Sequence, residues 1–83
     1  MFTFISDSGH GWARIPLTLL DLLEIRDQIS EYSFQHGKFS FLEEDCDLMI
    51  FIDAYKQRFN EAPIFTDKPV NGYSAIRDYT PFS

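Results

Sequence analysis

Polar and apolar positions alternate with different periods along the chain, and the changes of period mark out its elements. Residues 2–6, FTFIS, are aromatic and β-branched, as a strand requires. The Ser- and Gly-punctuated run Asp7–Gly11 predicts a turn. Residues 12–16, WARIP, predict a second short strand closed by Pro16. Over residues 17–29, Leu19, Leu22, Leu23 and Ile29 recur at helical spacing, with Leu20 beside them. Pro16 suits the start of that helix, where its missing N–H is no loss.

Residues 31–42, EYSFQHGKFSFL, carry the clearest local signal. A two-residue turn at His36-Gly37 pairs Phe34 with Phe39 and Tyr32 with Phe41. The four aromatics then share one face, and Ser33, Gln35, Lys38 and Ser40 share the other, as in a half-buried hairpin. Residues 45–60 predict a second helix with Asp45 as its N-cap and Leu48, Phe51, Ile52, Tyr55 and Phe59 as its core stripe. Met49 and Ile50 fall off that stripe. Either the helix is buried on two sides, or it shows an apolar strip to a partner.

The order hairpin–helix, hairpin–helix predicts an α+β fold, ββαββα: two antiparallel β-hairpins and two α-helices, the helices on one face of a small antiparallel sheet. Residues 1–60 form the compact α+β domain of this reading. Residues 61–83 are an irregular C-terminal extension interrupted by Pro63, Pro69 and Pro81, and too aromatic for an inert linker. The extension is expected to pack on the domain, add an edge strand to it, or dock on a partner chain.

A chain of 83 residues with 45% hydrophobic and 17% aromatic content can close one small core, so wholesale disorder is excluded. A net charge of −6 argues against a non-specific binder of nucleic acid or of an anionic membrane. One cysteine, Cys46, permits no internal disulfide and no Cys-pair metal motif. No signal-peptide pattern opens the sequence, and no apolar run approaches the roughly 20 residues of a membrane span. These features predict a cytoplasmic protein.

Four groups of residues invite a chemical reading. In DSGHG, Asp7 could orient His10 for acid–base work, yet no nucleophile elbow accompanies them, and a tight turn accounts for the same residues. Cys46 could pair with His10 or His36, but its acidic neighbours favour a small buried hydrophobe. LEEDCD offers four carboxylates for Mg²⁺ or Ca²⁺, but it lacks an EF-hand pattern, and helix capping explains it without metal. Phosphate mimicry reduces to a local acidic face of Glu43, Glu44, Asp45, Asp47 and Asp53.

Two separated stretches, SDSGHGWARIPLTLLDLLEI and YSFQHGKFSFLEEDCD, together carry a resemblance covering roughly residues 1–55. The chain resembles a family of small uncharacterised proteins encoded by bacteriophages, prophages and plasmids. In that family a D-x-G-H-G-W turn leads into a helix, and Y-S-[FY] precedes L-E-E-D-C-D. The resemblance implies no established activity and no catalytic residue. It implies a mobile element working inside a bacterial cell, where small acidic proteins resemble, in size and charge, anti-CRISPR or anti-restriction inhibitors.

The expected function is therefore non-catalytic: binding and blocking a bacterial host protein or complex that bears a basic patch, without cofactor, metal, nucleic acid or membrane. The acidic residues named above would steer association. Met49, Ile50, Phe65, Tyr73 and Tyr79 would supply apolar anchors. Self-association into a homodimer is compatible with the aromatic tail. The alternatives are a small enzyme using Asp7, His10 and Glu44, and a structural subunit of a phage assembly.

Overall fold

The computed structural model describes residues 1–82. Strands β1 (Phe2–Ser6) and β2 (Gly11–Pro16) pair antiparallel across a four-residue loop, with Ser6 opposite Gly11. Helix α1 covers Leu17–Leu22. Strands β3 (Phe34–His36) and β4 (Phe39–Glu43) form the second hairpin, and α2 covers Leu48–Phe59. Two further strands follow, β5 (Phe65–Pro69) and β6 (Thr80–Pro81). The fold is α+β, with six strands rather than the four expected. The sheet order is β5-β1-β2-β4-β3-β6.

The two extra strands come from the C-terminal stretch. β5 runs parallel to β1, so the sheet is mixed and not purely antiparallel. β6 pairs antiparallel with β3 at the opposite edge. Neither strand shows an apolar alternation. β5 reads FTDKP and is mostly exposed, so its signal lies in backbone pairing rather than in side chains.

The sheet is buried on both faces. Ala13, Ile15 and Leu42 pack on one side with Leu20, Ile25, Ile29, Phe51 and Phe82. Trp12 and Phe41 pack on the other with Ile76, which sits in a 3-10 turn at Ala75–Asp78. A fully buried side chain of this size contributes about 1.5–3 kcal/mol. The chain between β5 and β6 thus joins the two sheet edges and supplies Ile76 to the second core. Ser40, expected on a solvent face, is buried and donates to the carbonyl of Ile15 at 2.8 Å.

The predicted helix over 17–29 is cut at Leu22. Glu24 adopts a left-handed φ of 58°, and its N–H bonds the carbonyl of Asp21 while that of Ile25 reaches Leu20. This is a Schellman ending with its apolar contact between Leu20 and Ile25, both buried. A 3-10 turn at Arg26–Gln28 follows.

The hairpin register also differs from expectation. Phe34 faces Phe41 and His36 faces Phe39, so the turn is Gly37-Lys38. Gly37, with φ 61°, takes the first turn position, where a II′ turn places glycine. Phe34, Phe39 and Phe41 still share a face, but Tyr32 lies outside the strand and is exposed. Helix α2 begins three residues later than predicted, because Asp45 does not cap it. Asp47 holds the N-cap position, and its side chain bonds elsewhere.

Candidate functional site

The β1–β2 loop is built around Asp7. Its Oδ1 accepts the backbone N–H groups of Gly9 and His10, each at 3.0 Å. Its Oδ2 accepts the N–H of Ser74 at 3.0 Å and Nε of Arg77 at 2.8 Å. Arg77 Nη2 completes a fork on Oδ1 at 2.9 Å. Asp7 is fully enclosed, and the Arg77 hydrogen bond holds its carboxyl well below the usual carboxylate range. The Asp7 carboxylate in turn raises the Arg77 guanidinium above its ordinary value. Asp7 therefore bonds the backbone of His10 and does not orient its ring.

The glycines around His10 are spatial requirements. A Cβ on Gly11 would collide with the Phe4 ring, and one on Gly9 would press on Arg77 Nη2 at 3.2 Å. His10 itself is half exposed, and its Nδ1 lies 3.3 Å from Oε2 of Glu43. A solvent-facing imidazole against a buried carboxylate can exchange a proton with water. Among the described residues, His10 makes no hydrogen bond to Cys46 or Glu44.

LEEDCD divides into buried and exposed acids, which corrects its reading as one acidic face. Glu43 is 6% exposed. Its Oε1 accepts the N–H groups of Asp45 at 2.7 Å and Cys46 at 3.0 Å. Asp47 is 1% exposed. It accepts the N–H of Ser30 at 3.1 Å, the hydroxyl of Ser30 at 2.8 Å and the hydroxyl of Ser33. Ser33 in turn accepts the N–H of Glu43 at 2.9 Å. Both carboxylates hold the β4–α2 corner. Among the described residues, no group of three or more His, Cys, Asp or Glu is gathered to hold a metal ion.

Glu44, Asp45 and Asp53 do reach solvent, as does Met49 at 61% exposure. Met49 and Asp53 lie four residues apart on α2, one turn above the other. Ile50 is half-buried against the main core and lines a groove of about 380 Å³ with Leu23, Ile25, Asp53 and Ala54. Cys46 is exposed and not the buried hydrophobe expected. Local desolvation, with the Glu43 carboxylate beside it, pushes its thiol above the ordinary value.

The tail aromatics separate too. Phe65 packs on Phe2, with ring centroids 5.9 Å apart, and Tyr79 stacks on His36 at 4.1 Å. These two rings face inward. Tyr73 is 77% exposed, with the Arg77 guanidinium 4.4 Å from its centroid.

The sequence reading missed Arg77 and a second surface formed by Pro16, Leu17, Thr18, Gly37, Lys38 and Phe39. These residues line a mainly apolar groove of about 530 Å³. No periodicity announces either feature, because each joins residues far apart in the chain. Among the described residues, no helix is long and apolar enough to cross a membrane. No family model matches the chain, and no curated protein or solved structure matches it significantly.

Proposed function

We propose that this chain is a non-catalytic interaction protein that docks on a basic, partly apolar patch of a host protein through the outward side of α2. One observation carries the reading: Met49 is exposed in the first turn of α2 with Asp53 one turn along, Glu44 and Asp45 reach solvent just before the helix, and among the described residues none of these three acids forms an ion pair. An exposed apolar side chain flanked along the chain by unpaired carboxylates suits a steered contact with an oppositely charged surface. The resemblance to phage- and plasmid-encoded proteins supplies the context, a bacterial cytoplasm in which the target is a host protein or a defence complex of the CRISPR or restriction kind. The decisive experiment compares affinity capture from bacterial lysate by the wild type and by an Asp45→Lys, Met49→Ser, Asp53→Lys variant. These exposed substitutions leave the fold intact, and specific capture disappears. If the same proteins are captured at the same yield, α2 is not the docking face.

A second reading, acid–base chemistry by a small enzyme, draws support from the His10–Glu43 pair. It requires an activity that His10→Ala abolishes while capture is unaffected.

A further inference from the structure

The chain carries, on another part of its surface, the kind of patch that the α2 face is proposed to recognise. The groove of Pro16, Leu17, Thr18, Gly37, Lys38 and Phe39 has an apolar lining and no carboxylate. Lys38 is exposed at the β3–β4 turn. Arg14, also exposed, holds its guanidinium 4.7 Å from the centroid of the Phe39 ring. Among the described residues neither cation is in an ion pair, whereas Arg26 and Arg77 are paired with Asp21 and Asp7. In a chain of net charge −6, a cationic apolar groove is a local reversal of sign.

The α2 face, up to Asp53 and short of the exposed Lys56, is its counterpart in both respects. Met49 protrudes there, Asp53 follows one turn along, and Asp45 sits in the turn just before the helix. We infer that the occupant of the Phe39 groove is a second copy of this chain, with Met49 of one copy seated between Pro16, Leu17 and Phe39 of another and Asp45 and Asp53 facing Lys38 and Arg14. This rests on the α2 reading for the chemistry of that face, but it requires no foreign partner. Knob and groove lie on different elements, so the contact closes as a two-fold dimer where both pairs engage at once and is heterologous where only one does. It also covers the α2 face, so self-association competes with docking on a target.

Sedimentation equilibrium of the purified chain tests this without a partner. Association is expected at low ionic strength and weakens strongly between about 20 mM and about 500 mM salt, where screening shortens from some 20 Å to a few Å. Lys38→Glu and Asp45→Lys each weaken it by about tenfold, and combining them restores much of the loss, since the charge pair is re-formed with its signs exchanged. Met49→Ser also weakens it by about tenfold. All three positions are exposed, so circular dichroism should show unchanged folding. A monomer at every concentration and salt overturns the inference, as does association indifferent to Lys38→Glu and Met49→Ser. A monomer whose Lys38 and Phe39 resonances shift on adding decanoate also overturns it and gives the groove to an apolar anion. Self-association as described here, with no specific capture from lysate by the wild-type chain, would count against the host-docking reading alone.

Discussion

Asp7 and Arg77 stand seventy positions apart in the chain and are joined by a two-bond fork of 2.8 and 2.9 Å. The same carboxylate closes the β1–β2 loop through Gly9 and His10 and anchors the C-terminal strand-to-strand crossing through Ser74. One side chain thus ties the loop of the first hairpin to the segment that carries Ile76 onto the second core.

That link sets an acid sensitivity. The Asp7 carboxyl titrates lower in the folded chain than in the unfolded one, so it binds fewer protons when folded. Its stabilising contribution is complete above the unfolded value of about 3.9 and is lost progressively as the pH falls below it. Urea midpoints measured from neutral pH down to about pH 2.5 should fall more steeply for the wild type than for Arg77→Met, which loses the fork. Parallel acid limbs for the two proteins would show that the fork does not couple to folding.

The acidic run should split sharply on mutation. Asp47→Ala strands the N–H and hydroxyl of Ser30 and the hydroxyl of Ser33, two of them bonded at 3.1 and 2.8 Å in the native chain. Leaving the buried Ser33 hydroxyl and the two part-buried Ser30 donors without their acceptor costs about 2–3 kcal/mol. Asp45→Ala, two residues earlier and exposed, should change stability by no more than about 0.5 kcal/mol. Denaturant titrations of the two variants side by side decide it, and equal losses would contradict the assignment of Asp47 to the β4–α2 corner.

Much of this division was invisible in the sequence. A helix starting just after LEEDCD was legible, but the capping role expected for its acids was not found: the Asp47 side chain at the N-cap position makes no capping bond. Which acid turns inward was not legible, since that depends on Ser30 and Ser33 arriving from another element. The first hairpin was legible from its β-branched and aromatic residues flanking a Ser- and Gly-rich loop. The second hairpin was found with its turn one residue out of place, because Gly37 can serve either turn position. An added edge strand was one of the outcomes open to the C-terminal stretch, but the number, positions and partners of the edge strands were not legible. β5 is set by hydrogen bonds to β1 and extended by Phe2 N–H to Ile64 and Val70 N–H to Ser6, none of which leaves a trace in hydropathy.

The end of α1 offers a stabilising change. Glu24 sits at φ 58° in a Schellman ending, a conformation that disfavours any residue with a Cβ and that glycine adopts freely. Its residue is exposed. Glu24→Gly should raise stability by about 1 kcal/mol, and Glu24→Val should lower it. A loss of stability in Glu24→Gly, read from thermal and urea unfolding, would mean that the Glu24 side chain contributes more than its backbone strain costs.

Exposure and reactivity should part company at Cys46. The thiol is accessible, which by itself predicts rapid alkylation. Local desolvation and the adjoining Glu43 carboxylate both favour the neutral thiol, with Asp47 and Asp45 adding to the effect. Only the thiolate attacks, so the fraction available at neutral pH is smaller than for an ordinary cysteine. Iodoacetamide should therefore label the native chain more slowly at pH 7 than the urea-unfolded chain, with the gap closing as the pH rises. Faster labelling of the native form would reverse the sign of the local field and reopen Cys46 as a reactive partner for His10.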